Sequence, residues 1–215
     1  MGLPSRPPTG PTIRVKIVQA VLLAVTMISS LGLYLAVEYW RGRSDPLVTQ
    51  TAWDRQIPFW PGWVWVYLFP YVLAPFLAAS MSWATLRWYL TRGTIVVLLS
   101  IAIFAMVPTR TVRPNIDQLG ESATAQLYRN MVSIDGPAAN AAPSLHVSLT
   151  ALLAWALLRD YRQPWLVGLI CVSVVLVWLS TLFTWQHHLL DVGTGAALGT
   201  VMAYPWMHRN RADLP

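Results

Sequence analysis

Charge is scarce in this chain. Only 11% of its residues are Asp, Glu, Lys or Arg, against roughly 25% in soluble domains, which excludes an ordinary water-soluble fold. Cysteine is nearly absent. Cys171 stands alone inside an apolar run, so no intrachain disulfide framework or cysteine-rich metal site is possible. It reads as a small buried hydrophobe. Internal repeats and low-complexity tracts are lacking, which excludes a solenoid. Cations outnumber acids by 15 to 9, but no basic stripe interleaved with exposed aromatics accompanies them. No nucleic-acid partner is expected.

What the chain has in quantity is apolar surface. Hydrophobic residues make up 55% of it, and 12 of them are Trp, a residue that prefers the boundary between water and bilayer. A spanning helix needs about 20 mostly apolar residues. That ruler finds six segments: 15–40, 62–82, 94–107 (extended back through "LRWYLTRG"), 144–158, 165–184 and 188–207. The first is long and lacks a small-residue cleavage pattern, so it reads as a retained anchor and not a signal peptide. The second carries Pro70 and Pro75, where a kink is expected. The fold class is therefore all-α: a polytopic membrane protein with six transmembrane helices over 15–208. The Pro- and Gly-rich residues 1–14 are expected to be a disordered cytoplasmic tail, and 209–215 a second cytoplasmic tail.

Six spans place both termini on one side, and the loops then alternate. The termini side collects nine Lys and Arg against two acids; the other side holds six cations against seven acids. By the positive-inside rule both termini are cytoplasmic, and a cell inner (plasma) membrane is the expected location. Every residue with chemistry to offer lies on the opposite, outward side: "PTRTVRP" after the third span, "PSLH" opening the fourth, and "WQHHLLD" between the fifth and sixth.

These residue types suit phosphate chemistry. His187 and Asp191 are four apart, one helical turn, and a carboxylate that accepts from one imidazole nitrogen leaves the other free as nucleophile or base. His188 is three residues from the same Asp, so spacing alone does not choose between the two. A capping role is the plain alternative for Asp191, but a carboxylate this far into an apolar run is rare and usually functional. Pro143 suits a helix's first turn. The free N–H groups of that turn, with the Ser144 hydroxyl, make an anion site, and a protonated His146 can give a proton to a leaving oxygen. Arg110 and Arg113 carry guanidinium forks for phosphate oxygens, with snorkelling beside the membrane as the alternative. Three His and an Asp also suggest zinc, but that reading leaves the serine and the arginines without a role.

The chain resembles the type 2 phosphatidic acid phosphatase superfamily, whose three motifs read K-x6-R-P, P-S-G-H and S-R-x5-H-x3-D. The third is matched by Ser180, His187 and Asp191 in register, with Thr181 in place of Arg. The second is Pro143-Ser144-Leu145-His146. The first survives as Arg113-Pro114, with Met106 at the lysine position. The resemblance implies a helical-bundle core over about 94–207 and a phosphorylated lipid as substrate. It makes His187 the nucleophile that forms a phosphohistidine, Asp191 its orienting carboxylate and His146 the proton donor. Ser144 and Arg113 would bind phosphate, with Arg110 as a stand-in for a missing cation. No metal and no cofactor are implied.

The catalytic residues are thus complete while the phosphate clamp is not. That departure is similar to the inositol phosphorylceramide synthase group, which transfers a headgroup to a lipid hydroxyl. A diester carries less charge than a monoester and needs fewer cations. Two reaction classes are expected, lipid-phosphate hydrolysis and headgroup transfer. A catalytically silent membrane protein is the remaining alternative.

Overall fold

The computed structural model describes residues 12–207. Seven helices dominate: α1 (Ile13–Arg41), α2 (Val64–Ser80), α3 (Trp83–Met106), α4 (Ala123–Asp135), α5 (Leu145–Asp160), α6 (Pro164–Phe183) and α7 (Leu189–Met207). The tails expected at 1–14 and 209–215 lie outside the described residues, except that Ile13 and Arg14 already belong to α1. Two short strands, β1 (Leu47–Val48) and β2 (Thr109–Arg110), pair in parallel and draw the loops after α1 and α3 together.

All six expected segments are helical, but the count of six spans is not matched. Among the described residues, four helical segments are long and apolar enough to cross a membrane: Ile13–Arg41, Pro61–Ser80, Trp83–Met106 and Pro164–Phe183. At 1.5 Å per residue the 16 residues of α5 reach only about 24 Å, and the apolar part of α7, Leu189–Tyr204, is similarly short. The four long helices turn large side chains outward, among them Ile28, Val72, Phe76 and Trp165, each about two-thirds exposed. Apolar surface of that extent needs a nonaqueous neighbour. Cys171 belongs to it: it is exposed on α6 and not buried as expected.

Local chemistry sets the helix ends. Ser82 caps α3 by accepting from the Thr85 N–H, and Asp160 at the end of α5 accepts from the Ser82 N–H at 2.8 Å and the Thr85 hydroxyl at 2.8 Å. This locks the turn between α2 and α3 to α5. Pro164 begins α6, where its missing N–H costs nothing. Pro70 and Pro75 lie inside α2, which continues through both.

The centre of the bundle is α5, packed against α3, α6 and α7. Its buried residues run around the helix, from Val147, Ser148 and Ala151 to Leu152, Leu153 and Ala156. On α7 the buried positions are Asp191, Gly195, Gly199 and Ala203, one stripe at steps of four. A Cβ added at Gly195 would lie 2.6 Å from the Ser144 carbonyl oxygen, and one at Gly199 2.4 Å from that of Ser148. Glycine there lets α7 press against α5, bringing Asp191 to the N-terminal end of α5.

Candidate active site

The N-terminal ends of α5 and α7 meet at the three residues predicted to be catalytic. The connection between α6 and α7 is tight. The Gln186 and His187 N–H groups both donate to the Thr181 carbonyl, at 3.0 and 3.1 Å. Trp185 takes a left-handed φ of 51°, rare for a bulky residue, while its indole N–H donates to the Ile57 carbonyl at 3.1 Å. This segment presents the His187 ring to the bundle interior.

His187 Nδ1 lies 3.8 Å from Asp191 Oδ2. The pairing is across a helix start, not along a helix turn, because α7 begins at Leu189. Asp191 also has the capping role that was the plain alternative: its Oδ2 accepts from the His188 N–H at 2.7 Å, the return half of a capping box. The cap does not take Asp191 away from His187, since both contacts are made by the same carboxylate. Asp191 is fully buried, and its Oδ1 and the His187 Nδ1 have no hydrogen-bond partner.

His188 faces elsewhere. One ring nitrogen is 2.7 Å from the Thr49 hydroxyl, and the other accepts from the Val112 N–H at 3.4 Å. The Thr49 hydroxyl also reaches Asp191 Oδ2 at 3.3 Å. With both nitrogens engaged, His188 is withdrawn from the cavity. Burial pushes its pKa down, against the upward pull of Asp191 and Asp54. Asp54 fastens the same loop, accepting from the Leu189 N–H at 2.7 Å and from the Thr51 N–H and hydroxyl at 2.7 and 2.6 Å. Burial alone would raise its pKa; these hydrogen bonds outweigh that and hold it below the usual carboxylate value.

His146, in the first turn of α5, stacks on Tyr67 at 4.3 Å between centroids, and its Nδ1 lies 3.1 Å from the Tyr71 hydroxyl. Its Nε2 is buried without a partner, so one nitrogen is positioned and the other is free. Pro143 and Ser144 depart from expectation. Pro143 precedes the cap instead of entering the first turn. Ser144 is the cap, fully buried, and accepts from the Val147 N–H at 3.3 Å. It lines neither of the two cavities described here.

The two arginines part company. Arg110 is exposed on β2 and lines neither cavity. Arg113 reaches the site: it donates to the Gly136 carbonyl at 2.9 Å, to Gln186 Oε1 at 3.2 Å and to Asp135, with which it forms an ion pair. Tyr128, on α4, supports this arrangement. It receives a bond from Gln186 and donates to the Thr184 carbonyl at 2.7 Å, and burial pushes its hydroxyl pKa up to about 12. The two positions where the family pattern has further cations are not in the site. Met106 is exposed at the end of α3, and Thr181 is fully buried with its hydroxyl on the Trp178 carbonyl.

Two cavities meet at His187. The larger, about 170 Å³, is bounded by α1, α2, α3 and α5 and runs from His146 and His187 past Tyr34 and Tyr71 to Leu23, Ala74 and Leu153. The smaller, about 10 Å³, is polar and holds Arg113, Thr111, Gln186 and His187. Tyr34, Tyr67, Asp135 and Asn140 line both. None of these four was singled out from sequence. Asp135 and Asn140 stand just ahead of "PSLH", but no motif marks either of them. Glu38 is marked by no motif either. It is buried at the end of α1 and accepts from the Ala139 N–H at 2.5 Å, which ties the loop carrying Asn140 to α1.

A sequence model described as PAP2 superfamily matches residues 47–205. No curated protein and no solved structure matches the chain.

Proposed function

The chain belongs to the PAP2 superfamily, and from that premise we propose that it is an integral membrane enzyme acting on a phosphate ester of a lipid through a phosphohistidine. His187 attacks phosphorus with Nε2, its Nδ1 turned to Asp191, and the bond to the leaving oxygen breaks as that oxygen takes a proton from His146. In the second half, His146 removes a proton from water or an alcohol. That oxygen attacks phosphorus and the P–N bond breaks. Arg113 offers its remaining N–H groups to the phosphate oxygens.

One observation carries the lipid assignment. The cavity that receives both imidazoles continues as an apolar cleft between α1, α2, α3 and α5 down to Leu23 and Leu153. A soluble phosphate ester has no use for that depth, whereas an acyl or polyprenyl chain fills it. We place α5 and α7 as the fourth and sixth of six spans. α5 tolerates its short length because other helices, not lipid, surround it. Both termini are then cytoplasmic and the site faces outward.

Headgroup transfer is favoured over hydrolysis of a monoester by the Arg113–Asp135 pair. The cation beside His187 already shares its charge with a carboxylate, which suits a phosphodiester with one negative charge better than a monoester with nearly two. The test is reconstitution of the purified protein in lipid vesicles, with products followed by mass spectrometry and His187→Ala as control. Phosphate release from a monoester identifies a hydrolase, and exchange of headgroup between lipids a transferase. Lipids left intact by the wild type would overturn both.

A further inference from the structure

A two-stranded ladder inside a helical bundle calls for a reason, and its place behind His188 supplies one. β1 and β2 are in register at Leu47–Thr109 and Val48–Arg110, and the ladder continues as the Thr49 N–H donates to the Arg110 carbonyl at 3.3 Å. Thr49 thereby meets Nδ1 of the His188 ring at 2.7 Å, and the Val112 N–H meets Nε2 at 3.4 Å. A backbone N–H only donates, so Nε2 keeps its lone pair and neutral His188 carries its proton on Nδ1. That Nδ1–H donates to the Thr49 oxygen, and the Thr49 hydrogen has to go elsewhere. Two further acceptors are in range: Asp191 Oδ2 at 3.3 Å and the Arg110 carbonyl at 3.5 Å. The carboxylate is nearer and charged, so it takes the bond. Thr49 is 8% exposed, His188 4% and Asp191 fully buried, so the choice is made among protein groups.

Resting on the phosphohistidine reading above, we propose that Thr49 and His188 are positioning residues. A relay from the Val112 N–H through the His188 ring and the Thr49 hydroxyl holds the Asp191 carboxylate in the rotamer that faces His187. Oδ2 is the oxygen concerned, since it lies 3.8 Å from His187 Nδ1. It is held from two sides, by the His188 N–H at 2.7 Å and by the Thr49 hydroxyl, whereas Oδ1 has no partner. Without the hydroxyl one bond remains, and the carboxyl group can turn about its Cβ–Cγ bond, a torsion with a broad minimum. His187 then loses the fixed acceptor that orients its ring and offsets the positive charge gained on attacking phosphorus. The relay needs a donor and an acceptor on opposite sides of one rigid group at 188, and a neutral imidazole is the side chain that offers both.

The experiment uses the full chain in detergent micelles with orthovanadate, which binds an attacking nitrogen in the five-coordinate shape of phosphorus during transfer. The wild type binds it and His187→Ala does not. Thr49→Val keeps the shape, removes the hydroxyl and weakens binding about tenfold, the loss of one hydrogen bond to a charged group. Thr49→Ser keeps the hydroxyl and stays within about twofold of wild type. His188→Phe weakens binding about fivefold, because the Thr49 hydroxyl is then free to turn to the Arg110 carbonyl. The double variant Thr49→Val, His188→Phe binds no more weakly than Thr49→Val alone, since both act through one bond; independent structural damage would multiply the two losses. Nitrogen NMR of protein carrying isotope-labelled histidine, assigned with His188→Phe, shows the Nδ1–H form of His188. An Nε2–H form, equal binding by Thr49→Val and Thr49→Ser, or losses that multiply would overturn the relay and leave the phosphohistidine reading standing. Should Thr49→Val fail to fold, the tautomer and the His188→Phe affinity decide the matter. Vanadate binding that survives His187→Ala, or none by the wild type, would overturn that reading and the relay with it.

Discussion

Replacing Gly199 by Ala should separate the two halves of the site without touching a reacting group. The new Cβ would sit 2.4 Å from the Ser148 carbonyl oxygen and 2.9 Å from the Ala151 Cβ. Ordinary C···O contacts lie near 3.3–3.6 Å, so α7 must withdraw from α5 by about 1 Å. Overpacking of this kind costs about 1–3 kcal/mol, partly offset by about 1 kcal/mol of helix propensity gained on losing a glycine. Gly193 is the internal control. It is on the same helix with nothing within 4 Å of an added Cβ, so Gly193→Ala should gain the propensity term alone. The assay is thermal melting of the purified protein in detergent, where 1 kcal/mol moves the midpoint of a chain this size by about 2–4 °C. Gly193→Ala should melt above wild type and Gly199→Ala several degrees below Gly193→Ala. Because α7 carries Asp191 and α5 carries His146, a 1 Å withdrawal should also cost up to about 100-fold in turnover. Equal midpoints and equal activities for the two variants would refute the close approach of α7 to α5 as the device that assembles the site.

The remaining predictions concern acid and topology. Burial holds the His188 pKa below its usual 6.5, so below about pH 6.5 the unfolded chain binds a proton that the folded chain refuses, and stability falls as pH drops. Asp54, held below its usual 3.8, contributes stability present above that value and lost as pH falls beneath it. His188→Gln should therefore shrink the fall in melting midpoint between pH 7.5 and 5.5; an unchanged fall would contradict the assignment. In a Cys171→Ala background, cysteines at Arg55 and Asn130 should react with an impermeant thiol reagent from outside and one at Arg162 should not. Outside labelling at Arg162 would reverse the proposed orientation.

The helices were legible because apolar runs announce themselves. α4 was not. It is a short amphipathic helix with little net hydropathy, and only Ser122, which accepts from the Ala125 N–H, marks its start. Length and hydropathy alone stop at four spans because tertiary packing replaces length: α5 carries His146, Ser148 and Thr150 inside the bundle, buried against other helices. The alternation of helices did bring His146, His187 and Asp191 to one place, because their segments all end at the same end of the bundle. It did not separate the two roles of Ser144, since a hydroxyl that caps a helix, as this one does, and one that faces a ligand look alike in sequence. Arg110 and Arg113 differ by three residues and have different fates, one exposed on a strand and the other held by Asp135 and Gln186. No local pattern foretells that, and the same holds for Asp135, Asn140 and Tyr34, which meet only through long-range contacts. The Thr181 position, open to an arginine by sequence, is sealed in the structure.

The central claim is that His187 is the nucleophile. Purified protein mixed with a phosphorus-labelled lipid substrate, quenched in alkali within one turnover and digested, should yield a single labelled peptide containing the His187–His188 pair. Fragmentation should place the acid-labile phosphoryl group on His187. His188→Ala should still form the adduct, and His146→Ala should form it slowly, least slowly from a substrate with a good leaving group. A phosphoryl group on His188, or a full-strength adduct in His187→Ala, would contradict the account.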